Sequence, residues 1–116
     1  MDFRPEPFRC DVKERRLSAL VELSGELDLA TVEAVREALR SLMASKRSVT
    51  LDLRRLTFID STGLRLILEI DAASRQDGFN FALVKGPESV QRLFAISGTL
   101  DRLVFVDAPD DLIPPQ

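Results

Sequence analysis

Apolar and polar residues alternate along this chain with two different periods, and the points where the period switches mark its elements. Phe8 to Val12 alternates loosely and predicts a first strand. Lys13 to Arg16 is a charged turn. In the next run Leu17, Ala19, Val21 and Leu23 share one face, and Ser18, Leu20 and Glu22 share the other. The two runs are close enough in sequence to pair as an antiparallel hairpin. Gly25 is expected to break that strand. From about Ala30 to Ser45 the period becomes helical, with Val32, Val35, Leu39 and Leu42 on one stripe and Glu33, Arg36, Glu37 and Arg40 away from it. Asp28 is the expected N-cap, because its carboxylate can accept a free backbone N–H at the positive end of a helix.

The pattern then repeats. Val49, Leu51 and Leu53 alternate with Ser48, Thr50 and Asp52 and predict a third strand. The run Leu56-Thr57-Phe58-Ile59 leads into Asp60-Ser61-Thr62-Gly63, and a helix is predicted over roughly Thr62 to Gln76, stopped by Gly78. Phe79 to Val84 predicts a fourth strand. Gly86-Pro87 opens a third helix with Pro at its first position, Val90, Leu93 and Phe94 on its stripe, and Gly98 at its end. Leu103 to Val106 predicts a last short strand, and the proline-rich stretch from Ala108 predicts an irregular tail over 108–116.

Strands alternating with helices call for right-handed crossovers and a mainly parallel sheet. The polar positions in the third strand argue against helices on both faces, since a strand covered on both sides is apolar on both. The predicted fold is therefore α/β: a single domain over residues 1–116, with a mixed, mostly parallel sheet of about four or five strands, an antiparallel N-terminal hairpin strand, and helices mainly on one face.

Composition narrows the function more than the fold. At 116 residues, 45% hydrophobic and 30% charged, the chain is long enough to bury a core without disulfides or metal. A net charge of -3 with no clustered basic face argues against nucleic-acid binding. There is no histidine, which removes the Ser-His-Asp and Cys-His arrangements and the commonest zinc sites. The lone Cys10 cannot form an internal disulfide, which suits a reducing compartment, and its apolar setting predicts a small buried hydrophobe. No segment approaches the length of a membrane span, and MDFRPEPFRC lacks the apolar core of a signal peptide, so the expected location is the cytoplasm.

The candidate site is Asp60-Ser61-Thr62-Gly63-Leu64, where a strand-side loop turns into a helix. Such a turn brings a hydroxyl to the surface beside unpaired backbone N–H groups. A phosphate on Ser61 is expected to meet those donors and the positive end of the helix dipole. It would place about two negative charges on one patch without unfolding the domain. Taken alone, the tetrapeptide is also accounted for by a plain helix cap, and Gly25-Glu26-Leu27-Asp28 by a strand end with a capping Asp.

The segments GELDLATVEAVREAL (Gly25 to Leu39) and VTLDLRRLTFIDSTGLRLIL (Val49 to Leu68) resemble the sulfate transporter and anti-sigma-factor antagonist (STAS) domain, and the resemblance covers nearly the whole chain. A free-standing domain of this length looks like the bacterial anti-sigma-factor antagonists. The resemblance implies that Ser61, directly after the Asp, is the phosphorylation site, and that Asp28 lies beside it and contacts the partner. The implied partners are an anti-sigma factor with serine kinase activity, bound by the unphosphorylated form so that a sigma factor is freed, and a serine phosphatase that reverses the modification. The implied partner-binding patch is Asp28, Asp60, Ser61, Thr62, Gly63 and Leu64. No cofactor, catalytic residue or metal ligand is implied, and the chain is read as a non-enzyme.

Two other readings stay open at this level. STAS-like proteins also serve as cytoplasmic accessory subunits of lipid or anion transporters, using the same helix face without phosphorylation. A nucleotide-binding protein or enzyme is the other, with Asp52 and Asp60 near strand ends as candidate carboxylates. It lacks a phosphate-cradling glycine loop and a clustered acid–base or Mg²⁺ set. Oligomeric state leaves no mark in the sequence.

Overall fold

The computed structural model describes residues 7–109. The elements are β1 (Arg9–Glu14), β2 (Ser18–Leu27), α1 (Val32–Ala44), β3 (Ser48–Ile59), α2 (Ser61–Asp77), β4 (Phe81–Val84), α3 (Glu88–Ser97), a 3₁₀ turn (Leu100–Arg102) and β5 (Phe105–Val106). The tail expected to be irregular lies, beyond Pro109, outside the described residues.

The five strands lie side by side in sequence order, β1-β2-β3-β4-β5. The first pair is antiparallel and the others are parallel. Each right-handed crossover steps one strand in the same direction, so α1, α2 and α3 are delivered to one face of the sheet. Val21, Leu51, Leu83 and Phe105 form one row across that face. Val35 and Leu39 of α1, Ile67 and Ile70 of α2, and Val90 and Phe94 of α3 close over the sheet in a single cluster. Phe94 meets Phe105 edge to face, with ring centroids 5.1 Å apart. Burying side chains of this size stabilises the fold by about 1.5–3 kcal/mol each, which holds helices too short to persist alone.

Gly25 does not end β2. It sits inside the strand at φ 93°, at a register shift against β3, and pairing resumes to Leu27↔Ile59. A side chain there would meet the backbone of Phe8, whose Cα is 3.1 Å from the position of a Cβ. The two apolar runs Val49 to Leu53 and Leu56 to Ile59 are likewise one strand, because the irregular stretch of β2 accommodates Arg54 and Arg55 between them.

The other strand-end readings shift for similar local reasons. Phe79 is not yet strand: its N–H, like that of Gly78, donates to the carbonyl of Ser74, and the side chain is buried. This is the hydrophobic residue of a left-handed helix stop at Gly78, φ 77°. Pro87 stands just before α3 rather than inside it. Cys10 is half-buried at the margin of the core, and burial first, then the charge of Asp11, pushes its thiol pKa up.

The face opposite the helices carries the polar residues of β3. Ser48, Thr50 and Asp52 are nonetheless buried there. Asp52 is held by Arg54, whose Nη2 lies 2.8 Å from Oδ2 and whose backbone N–H donates to Oδ1 at 3.0 Å. Burial works to raise the Asp52 pKa. The Arg54 hydrogen bonds and the charges of Arg54 and Arg55 outweigh it and hold the carboxyl below its ordinary value.

Candidate functional site

The two sequence motifs meet at the C-terminal edge of the parallel strands. Leu27 and Ile59 are paired in register, and the N–H of Asp60 donates to the carbonyl of Leu27 at 3.2 Å. Asp28 and Asp60 therefore leave adjacent strands side by side, about 4.8 Å apart in the hydrogen-bonding direction.

Their roles differ. Asp60 caps α2: its Oδ1 accepts the N–H of Thr62 at 2.9 Å and of Gly63 at 3.1 Å, while its carbonyl accepts the N–H of Leu64 at 3.0 Å. Asp28 does not cap α1, which begins four residues later at Val32. It closes a turn before the helix instead. Its Oδ1 accepts the N–H of Ala30 at 3.0 Å and its own N–H donates to Thr31 Oγ1 at 2.9 Å, while the Thr31 hydroxyl donates to the carbonyl of Glu26 at 2.8 Å. The amides at the start of α1 go to the backbone of Asp28 instead: the N–H groups of Thr31 and Val32 donate to the Asp28 carbonyl at 3.1 and 3.0 Å.

Ser61 is the first residue of α2 and is exposed, and Thr62 is half-buried. Gly63 and Leu64 face inward. A Cβ on Gly63 would lie 2.9 Å from Ile59 Cγ1, from Leu27 Cγ and from the Leu27 carbonyl oxygen, so only glycine lets the helix sit this close to the strand ends. Leu64 belongs to the core cluster. Of the residues expected to form a partner-binding patch, Asp28, Asp60, Ser61 and Thr62 lie at the surface or its margin. Gly63 and Leu64 seat the helix beneath them.

Three of the donors expected to meet a phosphate on Ser61 are already used. Thr62 and Gly63 give their N–H groups to Asp60, and Leu64 gives its own to the Asp60 carbonyl. These three amides are hydrogen-bonded without any ligand, and the Ser61 hydroxyl takes no part in the cap.

Two apolar side chains at this edge escaped the sequence reading. Leu29, directly after Asp28, is 76% exposed, and Phe58, two residues before Asp60, is 48% exposed. The available signal was an apolar residue out of pattern: Leu29 precedes the helical stripe, and Phe58 alternates with the inward Ile59. Single exposed apolar residues are ordinary on a protein surface.

The two carboxylates considered for acid–base work, Asp52 and Asp60, do not converge. The Asp60 carboxylate is engaged by amides, and Asp52 does not join it. Because β3 runs on to Ile59, Asp52 sits in mid-strand, paired with Arg54 rather than near a strand end. Among the described residues no three His, Cys, Asp or Glu side chains are grouped to hold a metal ion, and no helix is long and apolar enough to cross a membrane.

The fold is shared with known proteins. The family described as "Mlab, STAS domain" matches residues 10–106. The anti-sigma-B factor antagonist of Staphylococcus epidermidis is 33% identical over 82 residues, covering 70% of this chain and 76% of that protein. Osmosensory protein A of Mycobacterium tuberculosis is 32% identical over 77 residues, 66% of this chain, and the match spans only 49% of that protein. Among solved structures, an anti-sigma factor antagonist from Mycobacterium paratuberculosis superposes with a TM-score of 0.79 at 22% identity, covering 93% of this chain and 92% of its own. The anti-sigma factor antagonist SpoIIAA, solved in an unphosphorylated form, superposes at 0.73 with 21% identity over 90% of this chain and 91% of its own, and its phosphorylated form at 0.68 with 20% identity over 90% and 95%. These structural matches bear on the fold; the family match over most of the chain and the staphylococcal identity bear on kinship. The chain belongs to the STAS domain family, among the anti-sigma-factor antagonists.

Proposed function

We propose that this antagonist works as a phosphorylation switch, with Ser61 as the switched residue and the edge formed by Asp28, Leu29, Phe58, Asp60, Ser61 and Thr62 as the surface that docks an anti-sigma factor with serine kinase activity. The unphosphorylated form binds that partner and frees a sigma factor. Phosphorylation of Ser61 releases the partner, and a serine phosphatase restores binding. The chain is a regulatory binding protein rather than a catalyst, and it acts in the cytoplasm.

One observation carries this reading. Ser61 is exposed at the start of a helix whose Thr62, Gly63 and Leu64 amides are held by Asp60, so a phosphate leaves the cap intact and changes the surface. It adds up to about two negative charges beside two carboxylates and two exposed apolar side chains. An interface built on Leu29 and Phe58 tolerates such a desolvated anion poorly.

The test is intact-mass analysis after incubation with ATP, Mg²⁺ and the candidate kinase-type partner, with Ser61→Ala in parallel. A single added phosphate that disappears in the variant supports the switch. A stable complex without added phosphate leaves a constitutive binding module. Neither phosphate nor complex favours an accessory subunit of a transporter.

A further inference from the structure

We propose that Arg65 is the built-in counter-ion of phosphorylated Ser61: its guanidinium takes the phosphate along the exposed side of α2. The inference rests on the reading of Ser61 as a modified residue and adds to it the group that receives the modification.

Three observations lead there. First, three amides of the usual receptor for a phosphate at a helix start are already taken. Asp60 Oδ1 holds the Thr62 and Gly63 amides at 2.9 and 3.1 Å, and the Asp60 carbonyl holds Leu64 N–H. A phosphate on Ser61 thus finds fewer backbone donors than an open helix start offers, and a cationic side chain is its stronger partner.

Second, among the described residues the surroundings are anionic except at one point. The ends of β2 and β3 bring Asp28 and Asp60 to the serine, and Glu33 stands in the first turn of α1. The cations of neighbouring elements are engaged or remote. Arg36 of α1 is held between Glu33 and Glu69, the latter at 2.9 Å. Arg54 is committed to Asp52. Arg55 lies about 16 Å back from Asp60 along β3. Lys85, at the end of β4, faces Asp107.

Third, Arg65 is placed and free. It is exposed, four residues after Ser61 on the same helix, and has no ion-pair partner among the described residues. The acid that could have taken it from the other side, Glu69, is occupied by Arg36. Residues four apart on a helix lie about 5–6 Å apart at Cβ, and helical side chains lean toward the N-terminus, which carries the guanidinium back over Ser61. An acid placed N-terminal to a base at this spacing is also the favourable order. A guanidinium can meet two phosphate oxygens with two parallel N–H bonds.

The consequence is a firmer off state. Pairing with Arg65 holds the phosphate against the helix, over the docking patch, and favours its dianionic form against the opposing pull of Asp28 and Asp60.

The experiment installs phosphoserine at position 61 during translation, so no kinase is needed. The second ionisation of the phosphate is then followed by ³¹P NMR from pH 5 to 8. Relative to the parent, Arg65→Gln is expected to bind that proton about two- to threefold more tightly, Arg65→Lys to fall between, and the difference to shrink in 1 M salt. Arg40→Gln, which removes an exposed arginine of α1 paired with Glu37, is expected to leave the titration unchanged. Circular dichroism of the unmodified variants verifies folding. Identical titrations for the parent and Arg65→Gln, or an equal shift in Arg40→Gln, overturn the pairing. A separate incubation with ATP and the kinase-type partner tests Ser61 as the natural acceptor. Its failure beside a shifted titration would sink the switch and leave the pairing standing.

Discussion

Two places in this molecule begin alike, with an aspartate leaving a parallel strand toward a helix, and end differently. At β3–α2 the helix starts at the next residue, and Asp60 caps it with two amide bonds. At β2–α1 three residues intervene, Asp28 folds the loop onto Thr31, and Leu29 is left 76% exposed. The first is a rigid seat clamped by Gly63 against Leu27 and Ile59; the second is a display loop beside it. The same residue type thus supports the fold in one case and shapes a surface in the other, and the deciding variable is the number of residues before the first helical turn.

The contrast can be broken by substitution. The largest effect is expected from Gly63→Val, whose Cβ would press on the Leu27 carbonyl as well as on side chains. Overpacking of this kind costs about 1–3 kcal/mol of folding stability, read by chemical denaturation. An unchanged midpoint would mean that the seat is not tight. Asp60→Ala removes the cap and is expected to lose about 1–2 kcal/mol in the same assay. Asp28→Ala, by contrast, should lose less than half as much and instead weaken partner binding by isothermal calorimetry. Equal stability losses at the two sites would erase the distinction between seat and display.

A third strand-borne aspartate sharpens the comparison through pH. Asp52 has its folded pKa lowered, so its stabilising contribution is present above the ordinary unfolded carboxylate value of about 3.9 and fades as pH falls through the lower folded value. In acid titrations of stability, Asp52→Asn should flatten that limb, and a curve parallel to the parent would remove Asp52 from the account. The smallest stability change is expected at Ser61. Ser61→Ala and Ser61→Asp should both melt close to the parent, within about 0.5 kcal/mol. Only Ser61→Asp should lose the partner, by tenfold or more, since about 1.4 kcal/mol of interface repulsion suffices for that. A Ser61→Asp protein that binds like the parent would end the switch reading.

Much of this was legible in the chain. The stripe Val32, Val35, Leu39 and Leu42 became the buried side of α1, and Gly78 and Gly98 stop their helices with positive φ. The order of elements and the helices on one face followed from alternation and crossover handedness. What escaped were features that depend on a neighbour distant in sequence. Gly25 reads as a break, yet β3 pairs past it and turns it into an irregularity within β2. Ser48, Thr50 and Asp52 read as the face of the strand away from the helices, and they are nonetheless buried there, with Asp52 satisfied by Arg54.

For the site, the residues by themselves determined that a hydroxyl would stand at a helix start beside an aspartate, because period, capping chemistry and glycine placement are local properties. The tertiary structure alone decided that Asp28 and Asp60 stand together, that Gly63 and Leu64 point inward, and that the Thr62, Gly63 and Leu64 amides are spent on Asp60. Those outcomes depend on the register of β2 against β3, which is set by long-range packing across the sheet rather than by any residue's own preference.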